Sequence, residues 1–272
     1  MGATSAEESA AHASSALRPL YRLYERRLLR QVRARPVPRH VGIILDGNRR
    51  YGRERGLDDP RRLYALGARK LDDVLAWCAE LGIPAVTLWV FSTANLGRPA
   101  REVSGILGAV EGKLAALADD PRLRRLGVRV RAIGRLELLP ASTRAAIAAA
   151  ERATACYGAM LLNIAVAYGG REEIADAVRA LLREKERQGL GLAEVAAAIS
   201  PEEIGRHLYT AGAPDPDLII RASGEVRLSG FLLWQSAHSE FYFTDVHWPA
   251  FRKIDFLRAV RAFQQRGRRF GR

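Results

Sequence analysis

The sequence has little cysteine: Cys78 and Cys156 are its two examples among 272 residues. Each lies in an apolar stretch of helical character, and neither has a cysteine or histidine neighbour at the spacing that metal sites use. This argues against a cysteine-based metal centre. We expect a reducing, cytoplasmic setting in which both cysteines are core residues.

Long apolar runs are missing as well. No uninterrupted stretch approaches the roughly 20 apolar residues that a membrane-spanning helix needs. The opening segment MGATSAEESAAHASSA lacks the basic start and apolar centre of a secretory signal. We therefore expect a soluble or peripheral protein.

Several familiar catalytic motifs do not occur. The sequence has no G-x-x-x-x-G-K-[ST] loop, no G-x-G-x-x-G after a predicted strand and no G-x-S-x-G elbow. Its Asp-Asp pairs at 58–59, 72–73 and 119–120 are not followed by a third aspartate at the spacing of aspartate-rich diphosphate-binding helices. These absences argue against a kinase, a dinucleotide-dependent enzyme or a serine hydrolase.

Acidic residues are in the minority, with 30 Asp and Glu against 43 Lys and Arg and a formal net charge of +13. The partner is therefore expected to be anionic: nucleic acid, an acidic membrane or a phosphorylated small molecule. Charge alone does not choose among them. A nucleic-acid-binding module is disfavoured because no recognised nucleic-acid motif is present.

The N-terminal region differs in composition from the rest. Residues 1–16 are small and polar, which predicts a disordered tail. Residues 17–36, LRPLYRLYERRLLRQVRARP, place leucines and tyrosines opposite arginines, which predicts a basic amphipathic helix. We favour packing on its own domain or on a dimer mate over docking to a membrane surface.

From residue 37 onward, short β-branched runs alternate with helical stretches. The predicted strands are VGIIL, AVTLWVF, VRVRAIG, LLNIAVAY and DLIIR. This alternation predicts an α/β fold, a single domain with a central, mostly parallel sheet flanked by helices on both faces. In such folds function gathers at the carboxyl ends of the strands.

Four polar clusters fall just after predicted strands, at residues 46–51, 92–98 and 221–229 and at Glu240. If the sheet is parallel, these clusters share one rim. Arginines, hydroxyls and glycine suit diphosphate, and two separated carboxylates suggest a divalent metal. The competing interpretations are a common Asp-Gly-Asn turn, solvated surface arginines, and a structural salt bridge at Glu240.

Four segments, in this order, closely resemble the cis-prenyltransferases, the undecaprenyl diphosphate synthase family: HVGIILDGNRRYGRERG, FSTANLGRP, NIAVAYGGREEI and PDPDLIIRASGEVRLSGFLLWQSAHSEFYFTDVHWP. The likeness runs from about Pro38 to the closing RRFG. LYRLYERRL and FLRAVRAFQQRGRRFG are most similar to the short-chain actinobacterial (2Z,6E)-farnesyl diphosphate synthases. The resemblance makes residues 37–272 the catalytic domain.

The resemblance implies a Mg²⁺-dependent condensation of isopentenyl diphosphate with an allylic diphosphate, which forms a Z double bond. It also implies a hydrophobic product tunnel and a homodimer in which the C-terminal end, here RRFGR, reaches the neighbouring active site. Nucleic acid is then not an expected partner.

The resemblance also assigns roles to single residues. Asp46 and Asn95 match catalytic positions, and Asp46 and Glu240 match the positions that hold Mg²⁺. The matched substrate-binding residues are Gly47, Asn48, Arg49, Arg50, Tyr51, Ser92, Thr93, Arg98, Arg221, Arg227 and Ser229. Tyr51 stands where the family usually has tryptophan.

Departures from the family pattern shape the expected product. Ala94 and Leu96 replace the usual glutamate and tryptophan, and Tyr64 stands where longer-chain members have histidine. Val90 lies where long-chain members have a small alanine on the tunnel wall, so we expect a short product of about C15, formed from geranyl diphosphate. The alternatives are a longer-chain synthase, an irregular head-to-middle condensation, which Ala94 leaves open, and a non-catalytic binding subunit.

Overall fold

The computed structural model describes the backbone of residues 4–266 and the side chains of residues 19–117, 120–121 and 123–266. The six strands are β1 His40–Ile44, β2 Ala85–Ser92, β3 Val128–Ile133, β4 Met160–Tyr168, β5 Leu218–Arg221 and β6 Glu240–Phe243. The α-helices are α1 Thr4–Arg33, α2 Asn48–Glu54, α3 Pro60–Leu81, α4 Ala100–Asp119, α5 Pro121–Leu126, α6 Ala141–Thr154, α7 Gly170–Arg187, α8 Leu192–Ala198, α9 Pro201–Arg206 and α10 Lys253–Gln265. The closing RRFGR segment lies outside the described residues.

The strands form one sheet in the order β3-β4-β2-β1-β5-β6, and every neighbouring pair is parallel. Successive residues of a strand point to opposite faces. Ile43 and Ile220 accordingly belong to one apolar cluster, while their neighbours Ile44 and Ile219 belong to another on the other face. The predicted single-domain α/β fold, with a parallel sheet buried on both faces, is confirmed.

The strand order puts three chain segments side by side at one rim. β1 lies between β2 and β5, with Ile44 in register with Trp89 of β2 and Arg221 of β5. Since parallel strands end at the same edge, the segments that follow β1, β2 and β5 are neighbours. The sequence predicted this convergence for the first three polar clusters.

The prediction for the fourth cluster is wrong in its placement. Glu240 begins β6 and pairs in register with Leu218, the first residue of β5. It therefore lies at the amino edge of the sheet, about 10 Å along the strands from the end of β5. Its carboxylate bonds Arg266 at 2.9 Å, which is the salt bridge that the sequence offered as an alternative. A four-residue strand gives too little alternation for its start to be located from sequence.

Helix α1 packs on its own domain, as the sequence favoured. Leu28 and Val32 are buried, and the side-chain amide of Gln264 in α10 donates to the carbonyl of Val32 at 2.8 Å. The outward face carries exposed Leu20 and Leu23. No helix among the described residues combines the length and the apolar character needed to cross a membrane.

Two sequence-based expectations differ from the structure. Helix α1 begins at Thr4, so residues 4–16 are helical where a disordered tail was predicted; alanine is frequent in this segment and is the best helix former. Residues 1–3 lie outside the described residues. Cys78 is buried as expected, but Cys156 follows the end of α6 and is exposed, so its prediction as a core residue is wrong.

A line of polar side chains crosses the buried sheet. His40 of β1 bonds Thr87 of β2 at 2.8 Å, Asn163 of β4 donates to Thr87 at 3.0 Å, and Arg131 of β3 donates to Asn163 at 2.9 Å. The other ring nitrogen of His40 contacts the carbonyl of Pro214 at 2.6 Å. Because a carbonyl only accepts, this nitrogen carries a proton. Burial lowers the pKa of His40 to about 4, so the ring is neutral at pH 7.

This neutral histidine makes the stability of the fold depend on pH. Between pH 6.5 and pH 4 the unfolded chain binds a proton at His40 and the folded protein does not, so the free energy of unfolding falls as the pH falls. We expect a contribution of about 3 kcal/mol across this window. Urea unfolding from pH 7 to pH 4 should show a shallower pH dependence in His40→Gln than in the wild type. An unchanged slope would contradict the assignment, whatever the offset between the two proteins.

Candidate active site

The segment after β1 makes a sharp turn into α2. Gly47 adopts φ +91°, a left-handed conformation that side chains disfavour. A Cβ at this position would lie 2.6 Å from Nδ1 of His247 and 2.8 Å from Cβ of Ser223. The backbone N–H of Gly47 donates to Oδ1 of Asp46 at 2.6 Å. Glycine therefore allows the turn that holds the Asp46 carboxylate in place.

Asp46 forms an ion pair with Arg221, the last residue of β5. Nη2 of Arg221 donates to Oδ2 of Asp46 at 2.8 Å, and the Arg221 side chain is only 5% exposed. Burial by itself raises the pKa of Asp46, but the hydrogen bonds from Arg221 and Gly47 outweigh it and hold the pKa below its ordinary value. Asp46 is therefore ionised at neutral pH.

The loop after β5 wraps around the Arg221 guanidinium. Nη1 of Arg221 donates to Oγ of Ser229 at 2.8 Å and to the carbonyl of Arg227. Ser223 and Ser229 have φ of +84° and +52°, which non-glycine residues seldom adopt. Such strain persists where surrounding contacts compensate for it. Here Oγ of Ser223 accepts a bond of 2.8 Å from Arg50 of α2.

The segment after β2 is organised by a reciprocal cap. The Ser92 hydroxyl accepts the N–H of Asn95 at 3.2 Å, and the Asn95 side-chain carbonyl accepts the N–H of Ser92 at 3.0 Å. This arrangement fixes Asn95 at the rim. The Asn95 carbonyl oxygen is thus engaged by the backbone, which leaves its amide group as a hydrogen-bond donor.

Two glutamates hold the remaining arginines in position. Glu102 of α4 accepts bonds from Arg98 at 2.9 Å and Tyr64 at 2.8 Å, and its carboxylate lies 3.8 Å from Arg49. Glu225 pairs with Arg227 and lies 3.3 Å from Arg50. Neither glutamate was predicted from the sequence as a site residue. Glu225 lies inside the polar cluster at residues 221–229, whereas Glu102 lies in a helix and carries no local signal.

These residues line a cleft of about 810 Å³ at the carboxyl edge of the sheet. The structure brings together most of the predicted site residues there: Asp46, Gly47, Asn48, Arg49, Arg50, Val90, Ser92, Asn95, Arg98, Arg221, Arg227 and Ser229. It does not bring Tyr51, Thr93 or Glu240 into the lining. Arg53, also in the lining, was not predicted; it lies one helical turn beyond Arg49 on α2.

A second, narrow apolar cavity of about 60 Å³ lies beside the cleft, between the sheet, α3 and α4, and is called the branch. Five residues line both spaces and are called the neck: Leu45, Asn48, Tyr64, Val90 and Ile106. Leu71, Leu88 and Ile164 are among the residues that enclose the branch beyond the neck. The site thus joins a cationic region to a hydrocarbon-like one.

The cleft suits a polyanion together with a small divalent metal. Six arginines and four carboxylates line it, so the lining keeps a positive charge after internal pairing. Asp46 is one-third exposed, and each of its oxygens accepts a bond from the protein, which leaves lone pairs available. The described residues contain no cluster of three or more metal-ligating side chains. A metal bound here would take most of its ligands from phosphate and water, as Mg²⁺ does.

Comparison with known proteins gives a consistent result. A family model described as "Putative undecaprenyl diphosphate synthase" matches residues 44–271. An isoprenyl transferase from Thermus thermophilus is 58% identical over 255 residues, which cover 94% of this chain and 97% of the relative. A (2Z,6E)-farnesyl diphosphate synthase from Thermobifida fusca is 54% identical over 253 residues, which cover 93% of this chain and 97% of the relative.

A solved structure has the same architecture. The crystal structure of lavandulyl diphosphate synthase from Lavandula x intermedia in complex with dimethylallyl diphosphate matches with a TM-score of 0.78 and 33% sequence identity. The match covers 87% of this chain and 99% of that chain.

The turn at Gly47 generates a test with a matched control. Gly47→Ala should cost about 3 kcal/mol or more, because strain at positive φ is added to the close contacts with His247 and Ser223. Gly56 also has positive φ, +62°, but a Cβ there would meet open space. Gly56→Ala should therefore lower the free energy of unfolding by only about 1 kcal/mol. Urea unfolding of both variants measures the difference. Equal losses would mean that the contacts around Gly47 are not constraining.

Proposed function

The chain belongs to the undecaprenyl diphosphate synthase family, the cis-prenyltransferases, and from this membership we propose the reaction that it catalyses. It is a prenyltransferase that acts on substrates of the isoprenyl diphosphate kind. In the proposed reaction isopentenyl diphosphate adds to an allylic diphosphate, geranyl diphosphate first among them, and a Z double bond forms. The product is a prenyl diphosphate of about C15, and Mg²⁺ is the cofactor.

The observation that carries this proposal is the junction between a cleft rich in arginine and an apolar branch. A prenyl diphosphate has the same two parts, a charged head and a hydrocarbon tail. Guanidinium groups pair with phosphate oxygens through two parallel hydrogen bonds. Arg49 and Arg50 lie on the α2 side of the cleft, and Arg221 and Arg227 lie on the β5 side, so two diphosphates have separate sets of partners.

Asp46 is the residue that we assign to Mg²⁺, for the reasons of charge, exposure and free lone pairs given above. A bound Mg²⁺ would neutralise charge that builds on the departing diphosphate. Glu240, the second carboxylate implied by the resemblance, faces Arg266 at the other edge of the sheet. Its part in metal binding stays a prediction.

Several side chains of the cleft are held in position for the reaction before substrate binds. Carbon–oxygen cleavage concentrates negative charge on the leaving diphosphate, and arginines already held by Glu102 and Glu225 meet that charge without reorganising. Apolar side chains at the neck exclude water from the allylic cation that develops. We assign Asn95, which the cap with Ser92 fixes at the rim, to hydrogen-bond a substrate oxygen near the proton that is lost.

A short product agrees with the size of the branch. An apolar cavity of about 150 Å³ accepts one benzene, which has only six carbons. The branch offers about 60 Å³, which is less than one five-carbon unit needs by this comparison, so each unit that enters must displace the walls. The Thermobifida fusca relative is named a (2Z,6E)-farnesyl diphosphate synthase, which is the same product class.

Membrane contact and dimer formation stay predictions. The outward face of α1 exposes Leu20, Tyr21 and Leu23 beside several arginines, a composition that suits an anionic lipid surface. A cytoplasmic enzyme in peripheral contact with a membrane through α1 is therefore part of the proposal. The homodimer rests on the resemblance alone.

Turnover tests the proposed reaction directly. Purified protein, Mg²⁺ and radiolabelled isopentenyl diphosphate are incubated with dimethylallyl, geranyl or farnesyl diphosphate in turn, and products are separated by chain length. Asp46→Asn should lower turnover about a hundredfold or more, because it removes the charge assigned to the metal. Asp73→Asn, on the exposed side of α3, serves as the control. No product with any primer would favour a non-catalytic binding subunit.

Val90→Ala tests the steric account of product length. Val90 lines both the cleft and the branch, and removing two methyl groups widens the neck. We expect the main product to lengthen by at least one isoprene unit. Val86→Ala, at a buried position of β2 in the core cluster, controls for loss of stability. Products no longer than those of the wild type would refute the steric account.

An irregular head-to-middle condensation is the second candidate function. The similar solved structure is a lavandulyl diphosphate synthase, and Ala94 stands where the family usually has glutamate. The structure of the product alcohol, determined by mass spectrometry and nuclear magnetic resonance, separates the two reactions. A branched product from two dimethylallyl units would replace the proposed chain elongation.

A further inference from the structure

Helices α3 and α4 are joined by two polar contacts, one at each end of the apolar branch. At the neck, Tyr64 of α3 donates to Glu102 of α4 at 2.8 Å. Farther along both helices, Asp72 of α3 forms an ion pair with Lys113 of α4. Lys113 lines the branch together with Leu71 and Leu114. A charged pair thus lies at the end of a space whose other walls are mostly apolar.

The Asp72–Lys113 pair is largely removed from solvent. The Lys113 side chain is 13% exposed and the Asp72 side chain is 28% exposed. Lys113 follows Ala109 by four residues and Val110 by three, so it lies on the same face of α4 as these branch-lining residues. Asp72 bears the same relation to Ala68 on α3. Lys113 therefore forms part of the wall of the branch, and Asp72 is its counter-ion outside the lining.

We propose that the Asp72–Lys113 ion pair is the floor of the branch and ends growth of the prenyl chain. The inference deepens the proposed prenyl transfer and rests on it. A growing hydrocarbon tip that reached this point would have to push Lys113 away from Asp72. Lys113, which lines the branch, would then face hydrocarbon without its partner, which is strongly unfavourable, and Asp72 would lose its counter-ion. Val90 at the neck sets how wide a tail can enter, and the ion pair sets how far the tail can extend, so a change at either place is expected to lengthen the product.

The spacing of the two contacts agrees with a short product. Tyr64 and Asp72 are eight residues apart on α3, which corresponds to about 12 Å along the helix axis, and Glu102 and Lys113 are about 16 Å apart on α4. An isoprene unit adds four chain carbons, or about 5 Å at ordinary bond lengths. A tail of two to three units would therefore extend from the neck to the floor once the walls of the branch have moved apart to admit it.

The test compares the chain lengths made by floor variants. Lys113→Met keeps a long side chain without the charge, and Lys113→Ala removes most of the side chain. Both should raise the ratio of C20 and longer products to C15 at least about tenfold, a change of about 1.4 kcal/mol in relative barriers. The exchanged pair Asp72→Lys with Lys113→Asp restores opposite charges and should return the wild-type distribution.

Lys70→Ala is the matched control. Lys70 also pairs with an aspartate on α3, Asp73 at 2.7 Å, and is 20% exposed, but it does not line the branch. Its product distribution should equal that of the wild type. Thermal unfolding of every variant, and calorimetric binding of geranylgeranyl diphosphate, show whether a folded protein has gained room for a longer tail.

The outcomes separate this inference from the proposed function. A wild-type protein that makes no prenyl product from any primer removes the proposed function itself. If the wild type makes C15 and active Lys113 variants also make only C15, the ion pair does not end chain growth and the inference is refuted. Longer products that persist in the exchanged pair, or that appear equally in Lys70→Ala, overturn it as well, because the opposite charges at this position would then not be what stops the chain.

Discussion

The ion pair between Asp46 and Arg221 is the contact on which the site depends. Arg221 is almost fully buried at the end of β5, and an unpaired guanidinium there would be strongly destabilising. Its partner comes from 175 positions away in the sequence, after β1. The two strands are neighbours, are parallel and end in register, so the fold delivers both side chains to one point. Folding thus sets the charge and position of Asp46 before any substrate is present.

Arginine–carboxylate pairs also occur elsewhere around the cleft, where the side chains are less buried than Arg221. Arginines repel one another, and a group of them would spread into solvent without restraint. Glu102 and Glu225 each hold two arginines within reach of the same space. The carboxylates lower the net charge of the cleft, but they reduce the entropy that binding would otherwise cost. The arginines are therefore better ordered, although the cleft attracts anions less strongly. A polyanion with several oxygens can still accept hydrogen bonds from the guanidinium N–H groups that the glutamates leave free.

The sequence predicts the parts of this site that follow strands. Asp46 and Arg221 are visible because a charged residue directly after a β-branched run stands at a strand end, and parallel strands share a rim. Glu102 is invisible to that reasoning, since it lies in a helix and its importance comes only from how α4 packs beside α2 and α3. Glu240 misleads because a four-residue strand has no periodicity from which its first residue can be located. His40 gives no local sign that its imidazole joins a polar line through Thr87 and Asn163.

Reaction and product length depend on different elements of the fold. The charged chemistry lies on segments that follow β1, β2 and β5, where rigid strands fix the distances between carboxylate and guanidinium groups. In the proposed reaction the hydrocarbon tail lies between the sheet and two helices, where room is set by side-chain volume at Val90 and by how α3 and α4 are held together. A change in helix packing can therefore alter how long a chain grows without moving Asp46 or Arg221. Conversely, in the proposed reaction, loss of the Asp46–Arg221 pair would stop the chemistry at any chain length.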